Sequence, residues 1–392
     1  MQKKLIVLAL AGLTAAPAFA QSNVTVYGRV DYGYMSRGGN DGGVDTDGRK
    51  GEMASGMQAG SRLGFKGSED LGNGLKAIFE VESGMTNDAQ AVAGTFSALN
   101  RHAYVGVTGN FGTVVGGRLD GVRYGVYNKY DAFAGGGMGN FTQMTMQVDR
   151  ADNAIAYISP KFSGFGLTLA HATRVAGQEQ AGTQTLNNTN ANGTNGNASD
   201  GKLYTIMGTY DNGPLSLTLD YETVRYVDSN NTGGGALDNQ VVTTVGGSYD
   251  FKFVKLSALY DRHRAESSNN WASRGDLVDY NAWFVSASAP YGNFLFKATY
   301  GRVSDQRNSK EQSAASALFT QGDASKFGIG VNYLLSKRTN VYFDYARISN
   351  NDRNSNYTLT PAANGQGGAA TTALGGSGYG VSGFNIGLAH NF

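Results

Sequence analysis

Apolar and polar residues alternate through most of the segment that begins at Val24. In VTVYGRVDYGYM, the residues on one face of an extended strand are Val24, Val26, Val30, Tyr32 and Tyr34. Thr25, Arg29 and Asp31 fall on the opposite face. A period of two predicts β-strands, and here it collects the charged residues on one face. The same pattern recurs in LKAIFEVES, where Lys76 and the two glutamates share a face.

Short and long connections alternate between the predicted strands. Seven tight turns are predicted at 71–74, 109–110, 163–164, 212–213, 250–251, 291–292 and 336–338. Eight longer polar segments are predicted at 37–56, 87–97, 119–150, 176–200, 226–240, 264–277, 305–322 and 350–377. This arrangement predicts sixteen strands of about ten residues, the length that a tilted strand needs to cross a bilayer. A soluble sandwich would show the same alternation within strands, but not this alternation of connection lengths.

Composition favours the same fold class. The chain has 57 glycines and 22 tyrosines among 392 residues, no cysteine, and only 16% charged residues. This excludes a disordered chain and a helical bundle, and it leaves no disulfide framework. Closure of the sheet into a barrel would remove the edge strands, and it would supply the stability that disulfides do not.

The first twenty residues resemble a secretory signal and are set apart from the fold. Lys3 and Lys4 precede an apolar run that ends in Ala18-Phe19-Ala20, the layout of a cleaved signal peptide. The run is short for the alternative, an N-terminal membrane helix. We therefore divide the chain into a signal peptide at 1–20 and one β-barrel at 21–392. Loss of Lys3 and Lys4 changes the formal net charge from +1 to −1, so no bulk basicity remains for binding nucleic acid.

The C-terminal strand ends on an aromatic residue. Phe384, Ile386, Leu388, His390 and Phe392 fall on one face of this strand. Such an ending resembles the signal that the outer-membrane insertion machinery reads, which makes Phe392 the candidate assembly signal. The alternative is an ordinary amphipathic strand.

Three segments and the terminal phenylalanine carry a family resemblance. QSNVTVYGRVDYGYM, SRLGFKGSEDLGNGLKAIFEVESG and NRHAYVGVTGNFGTVVGGRLD resemble the trimeric general porins of Gram-negative outer membranes, particularly their beta-proteobacterial branch. The resemblance implies an all-β fold, a 16-stranded antiparallel transmembrane β-barrel with an inward-folded third outer loop. It also implies a homotrimer in the cell outer membrane, reached through the periplasm, with lipid, lipopolysaccharide and the barrel assembly machinery as partners.

The segment 119–150 corresponds to the inward loop of that family. It contains Asp131, which the resemblance places at the pore constriction together with Asp120 and Glu80. Glycines 135, 136, 137 and 139 would let the loop backbone lie flat against the barrel wall, although a flexible surface loop is the alternative.

Basic residues are expected on the wall opposite this loop. By resemblance, the ladder consists of Arg29, Arg62, Arg101 and Arg150, with Arg118 as a fifth candidate. Arginine suits the role because its guanidinium remains charged and can pass an anion on. The alternative for each is a solvated lumenal charge. For Arg101, the local alternation leaves open whether Tyr104 or Val105 faces lipid.

The balance of charge at the constriction favours anions. After Asp131 the loop reads AFAGGGMGNF, without the further acidic residues of cation-preferring relatives, so positive charge should prevail. Asp31, Glu80, Glu82 and Asp120 are the residues that could offset it. The predicted function is a general diffusion porin, a water-filled channel for ions and small hydrophilic solutes, with a preference for anions.

Specific residues bear on other classes of function. A substrate-specific channel for a sugar or an anion remains the alternative, with Tyr124, Tyr127 and Tyr130 as the hint of an aromatic track. A soluble secreted β-protein is third. The four histidines lack the spacing of a metal site, and the GxGxxG match at 378–383 lacks a following helix. We therefore predict no enzyme activity, no cofactor and no metal, with an outer-membrane esterase as the enzymatic alternative.

Overall fold

The computed structural model describes eleven stretches of the chain between residue 23 and the C-terminus. They are residues 23–46, 48–85, 101–134, 136–145, 148–175, 201–226, 237–267, 276–307, 322–351, 355–359 and 379–392. The predicted signal peptide and the outer segments 87–97 and 176–200 lie outside the described residues. So do parts of the other long outer segments.

The described residues form seventeen strand segments, one α-helix and one 3-10 turn. The strands are β1 (Asn23–Gly38), β2 (Arg49–Ser55), β3 (Arg62–Gly72), β4 (Leu75–Gly84), β5 (His102–Gly109), β6 (Gly112–Asp120), β7 (Arg150–Ile158), β8 (Phe165–Ala172), β9 (Gly201–Asn212), β10 (Leu215–Tyr226), β11 (Leu237–Asp250), β12 (Lys255–Ser267), β13 (Asp276–Tyr291), β14 (Phe294–Asp305), β15 (Ala324–Leu334), β16 (Thr339–Asn350) and β17 (Ser382–Asn391). The helix α1 (Val122–Tyr130) and the 3-10 turn (Thr142–Met144) lie between β6 and β7.

The strands close into one antiparallel barrel. From β3 onward each strand pairs with the next along the chain, and β17 returns to pair with β1 from Arg29 opposite Asn391 to Gly38 opposite Ser382. The backbone of Phe392 adds two hydrogen bonds of 3.1 Å with Gly28. Pairing of β17 with β1 joins the first and last strands of the sheet, and a sheet in lipid requires such closure.

The barrel has sixteen strands, as the sequence predicted, because β2 and β3 together form its second strand. β2 pairs with the second half of β1, Tyr32 lying opposite Ser55, and β3 pairs with the first half, Arg29 lying opposite Arg62. Residues 56–61 interrupt this second barrel strand. The predicted outer loop 37–56 was therefore too long, since β1 continues to Gly38 and β2 begins at Arg49.

Alternation separates an apolar exterior from a filled interior. The side chains of Val105, Tyr260 and Ile386 point outward and are exposed, whereas Asp261 and Asn385, one residue away from the last two, are buried inside. This is the pattern of a membrane barrel with lipid outside. No helix in the described residues is long or apolar enough to span a bilayer.

The interior core lies on one side of the barrel. α1 and the chain after it pack against the inner face of β10–β17 and against the segment 56–61, and the large buried rings there include Tyr127, Tyr130, Phe141, Tyr280 and Phe284. The opposite interior face, formed by β1 and β3–β7, carries the charged residues predicted for the channel wall. This asymmetry fixes where an aqueous path can run.

Candidate permeation constriction

The segment between β6 and β7 crosses the interior and is anchored on the far wall. Arg123 and Tyr127, one turn apart on α1, both reach the Asp261 carboxylate of β12. The Arg123 Nη1 lies 2.7 Å from Oδ2, and the Tyr127 hydroxyl donates to the same oxygen at 2.6 Å. All three side chains are buried. The helix is therefore held to the barrel by a charged pair that water does not reach.

Asp131 takes up a different position from the one predicted for it. Its buried carboxylate accepts hydrogen bonds from the backbone N–H groups of Phe133 (2.9 Å) and Phe141 (2.6 Å), and from the Thr299 hydroxyl of β14 (3.1 Å). Burial raises the pKa of the Asp131 carboxyl, and the backbone hydrogen bonds oppose this. The carboxylate braces the loop and docks it on the wall, instead of offering a negative charge to the lumen.

Two glycines bring the loop into contact with the interrupted second strand. The Gly137 N–H donates to the Met57 carbonyl oxygen at 2.6 Å, with φ at +72°. A Cβ on Gly136 would lie 1.6 Å from the Gln58 carbonyl oxygen. Close approach of two backbones thus requires glycine here.

The segment 56–61 is itself held by a buried carboxylate. Asp31 of β1 accepts hydrogen bonds from the backbone N–H groups of Gln58 (2.8 Å) and Ala59 (2.9 Å), and from the Tyr342 hydroxyl (2.5 Å). The Gln58 side-chain oxygen in turn accepts a 2.5 Å hydrogen bond from Arg29. Sequence reasoning missed Gln58, because it adjoins the segment predicted to be an outer loop and carries no charge.

Arginines and carboxylates alternate along the opposite wall. Arg29 and Arg62 lie directly across from each other in β1 and β3. Glu82 of β4 sits between Arg62 (3.7 Å) and Arg101 (2.5 Å). Of these groups, Arg62 retains 27% exposure of its side chain, whereas Glu82 retains 3%.

A histidine continues this row toward β7. His102 Nδ1 lies 2.6 Å from Glu80 Oε1, and its Nε2 lies 2.9 Å from Asp120 Oδ1. Asp120 also pairs with Arg150 at 3.3 Å, and the Arg150 guanidinium lies 5.8 Å from the ring centre of Tyr124 on α1. We call the whole row the arginine wall, which consists of Arg29, Arg62, Arg101 and Arg150 with Glu80, Glu82, His102 and Asp120.

Arg101 and Arg118 do not occupy regular positions in a strand, unlike the other predicted arginines. Val105 is 64% exposed on the outer face, whereas Tyr104 turns inward and its hydroxyl donates to Glu80 at 3.0 Å. Arg101 precedes β5, so it reaches Glu82 despite sharing the alternation phase of Val105. Arg118 contacts Asp152 of β7, beside the register shift between β6 and β7.

The acidic residues offset much of the arginine charge. Glu80, Glu82 and Asp120 all lie in the arginine wall, so the surplus of positive charge is smaller than the predicted ladder alone suggests. Glu80, Glu82 and His102 also bring ligand atoms within 4.8 Å of one another. The sequence predicted no metal site, and Arg101 and Arg62 already occupy the Glu82 oxygens, which disfavours a cation at this place.

The geometry defines a class of protein. A closed antiparallel barrel has an apolar exterior, a loop fixed across its interior, and charged side chains on the interior wall that faces the loop. This is the construction of a membrane channel that is narrowed from within.

Comparison with known proteins gives the family. The sequence profile of the Gram-negative porin family matches residues 6–353, and the chain belongs to that family of outer-membrane channels. Outer membrane porin protein 32 of Delftia acidovorans is 31% identical over the full length of both chains. An outer membrane porin protein of Bordetella pertussis is 29% identical over 87% of this chain and 93% of its own.

Solved structures agree with this fold. The anion-selective porin from Comamonas acidovorans superimposes with a TM-score of 0.70 at 26% identity, over 95% of this chain and 100% of its own. The trimer form of the outer-membrane protein OmpT of Vibrio cholerae has a TM-score of 0.64 at 15% identity, which shows the fold alone. This chain is thus a porin of the outer membrane that allows passive diffusion, as its sequence predicted.

Proposed function

We propose that this porin prefers anions, and that the arginine wall sets the preference. The observation that carries the proposal is the difference between the two sides of the constriction. Asp131, the acidic residue predicted for the loop, is buried and fully hydrogen-bonded, whereas Arg62 on the wall remains accessible. A fixed positive charge in a narrow aqueous passage between low-dielectric walls concentrates anions.

The acidic members of the wall modify this preference without reversing it. Asp120 is the most exposed of them, with 41% of its side chain accessible, but it is shared between His102 and Arg150. Glu82 is shared between two arginines. Paired carboxylates hold the guanidinium groups in place, and Arg62, with 27% of its side chain accessible, is the arginine of the wall that reaches the water most.

The experiment is a reversal-potential measurement in planar bilayers under a KCl gradient. Arg62→Gln and Arg150→Gln should each reduce the chloride preference of the wild-type channel. Lys161→Gln is the matched control, because Lys161 is an exposed cation that pairs with Asp211 beside a tight turn, away from the wall. An unchanged reversal potential in both arginine variants would remove these residues from the mechanism.

A substrate-specific channel receives less support from the loop tyrosines. Tyr127 and Tyr130 are buried against the barrel wall, and the Tyr130 hydroxyl lies 2.8 Å from the Thr218 hydroxyl. An aromatic track for sugars needs rings that solutes can touch. General diffusion therefore fits the loop better, and the absence of saturable conductance block by a panel of sugars and phosphate would agree with it.

Assembly completes the proposal. Residues 1–20 direct export to the periplasm, Phe392 serves as the insertion signal, and the mature chain forms a homotrimer among outer-membrane lipid and lipopolysaccharide. Family membership supports the homotrimer, and the position of Phe392, paired with β1 at the barrel seam, supports its role in insertion. Transport by diffusion needs neither catalysis nor a cofactor. Crosslinking and heat-modifiable gel mobility of the wild type and of a chain lacking Phe392 test these points.

A further inference from the structure

Three buried carboxylates lie beneath α1 on the far side of the barrel from the arginine wall. Asp220 and Glu222 belong to β10 and Asp261 to β12, and all three are at most 2% exposed. We call them the acidic patch. Ionisable groups buried at this depth in a membrane protein are costly and usually mark a site.

One cation in the described residues forms ion pairs with the patch. Arg123 lies 2.7 Å from Asp261, and its Nε lies 4.0 Å from the Glu222 Oε1. With the three carboxylates ionised, one arginine leaves two negative charges on side chains that are closed off from bulk solvent. Uncompensated charge of this kind is strongly unfavourable.

Asp220 provides a second, independent observation. Its two carboxylate oxygens have no hydrogen-bond partner among the described residues, although the side chain is 0% exposed. By contrast, Asp261 is bonded to Arg123, Tyr127 and Thr244, and Glu222 accepts a 3.5 Å hydrogen bond from Thr205. Buried polar atoms are nearly always partnered, so the Asp220 oxygens call for a ligand.

The ligand must carry a positive charge and must be one that oxygen atoms coordinate. Asp220 turns to the same interior face as Glu222, two residues along β10, and the hydroxyl of Thr244 opposite Asp220 adds a neutral oxygen nearby. Carboxylates and hydroxyls without nitrogen or sulfur donors suit hard cations, and divalent ions keep part of their water when one or two carboxylates bind them.

We propose that the acidic patch binds a hydrated divalent cation, Mg²⁺ or Ca²⁺, with Asp220 as its direct ligand and Glu222 as its second carboxylate. The ion supplies the two positive charges that Arg123 leaves unbalanced. Because α1 lies over the patch and contacts it through Arg123 and Tyr127, the bound ion strengthens the attachment of the constriction loop to the barrel. This site is separate from the arginine wall and does not depend on the proposed ion preference.

Terbium luminescence tests the site directly, since Tb³⁺ substitutes for Ca²⁺ and is excited by nearby tyrosines such as Tyr127. Purified, chelator-treated porin in detergent is titrated with Tb³⁺, and Ca²⁺ and Mg²⁺ are then added as competitors. We expect one saturable class of sites per chain that either competitor displaces. Asp220→Asn and Glu222→Gln should each weaken binding at least tenfold.

Glu80→Gln is the matched control, because Glu80 belongs to the other carboxylate cluster and should leave Tb³⁺ binding unchanged. Heat-modifiable gel mobility shows that each variant has folded, and Glu222→Gln decides if Asp220→Asn does not fold. The proposal is overturned if the wild type shows no saturable binding, if both patch variants bind as the wild type does, or if Glu80→Gln abolishes binding. Thermal stabilisation of Asp220→Asn without any cation effect would show that a proton neutralises the patch instead.

Discussion

The two sides of the porin interior use the same residue types for opposite purposes. On the arginine wall, Glu82 and Asp120 each lie between two basic groups, and Arg62 keeps contact with water. Beneath α1, one arginine pairs with two of three carboxylates, and the whole group is buried. In the proposed mechanism, exposure and not residue type separates the charges that act on solutes from the charges that hold the constriction loop.

The largest effect is expected from a substitution in the buried charged cluster beneath α1. Arg123→Met removes the ion pair with Asp261 and leaves that buried carboxylate without its basic partner. Loss of one partner from a buried pair costs about 3–5 kcal/mol of unfolding free energy. The loop should also move, so single-channel conductance should change. Denaturant unfolding and bilayer recording measure the two effects, with the exposed Lys161→Met as control. Wild-type stability in Arg123→Met would contradict the buried anchor.

The second prediction concerns Asp131, an acidic residue that was predicted at the pore constriction but is buried in the structure. Asp131→Asn turns an amide donor toward groups that are themselves donors, and a buried unsatisfied group costs about 1–3 kcal/mol. The KCl reversal potential should nevertheless stay close to the wild-type value, because the carboxylate does not face the lumen. A large shift of the reversal potential without loss of stability would reverse this assignment.

The third prediction tests the contact between the loop and the interrupted strand. Gly136→Ala forces a methyl group into the Gln58 carbonyl oxygen, and overpacking of this kind costs about 1–3 kcal/mol. Gly125→Ala is the matched control, since a Cβ there meets no atom within 4 Å and alanine favours the helix by about 0.5–1 kcal/mol. Thermal unfolding should therefore rank Gly125→Ala above the wild type and Gly136→Ala below it. Equal midpoints for the two alanine variants would argue against close backbone contact.

The smallest effect is a pH dependence at the loop end next to the arginine wall. Burial raises the pKa of the Asp149 carboxyl to about 6, although Arg150 opposes the shift. Acidification from pH 7.5 to 5 neutralises this carboxylate, so chloride preference should rise slightly. The raised pKa also means that Asp149 favours folding below its ordinary pKa, and that this contribution is lost as the pH rises through 6.

Asp149→Asn separates this effect from that of other titrating groups. The variant should show at pH 7.5 the reversal potential that neutralisation of Asp149 gives the wild type, with a smaller change on acidification. If the pH response of Asp149→Asn equals that of the wild type, the titrating group lies elsewhere.

The strands and turns could be predicted from the sequence because alternation and turn residues are local signals. All seven predicted tight turns fall where one strand of the structure ends and the next begins. The apolar faces of β1 and β17 point outward as expected. The interruption at 56–61 could not be predicted, because its cause is the distant Asp31 carboxylate together with Gly137 of the loop. Nothing in the local pattern marks either contact.

The site was predictable where a residue sits regularly in a strand. Arg29, Arg62 and Arg150 were identified by resemblance and occur together on one interior face. The roles of Asp131 and Asp220 could not be predicted from the sequence, because the role of a carboxylate depends on which groups surround it in three dimensions. Alternation shows that Asp220 faces inward, but only the fold shows that α1 covers it.

The reversal potential of the wild-type channel under a tenfold KCl gradient, compared with that of Arg62→Glu, tests the central claim most directly. The account predicts that the wild-type reversal potential lies closer to the chloride equilibrium potential than to that of potassium. Replacement of the accessible arginine by an acid should shift it toward the potassium equilibrium potential. A wild-type potential on the potassium side, or no displacement in Arg62→Glu, would contradict control of permeation by the arginine wall.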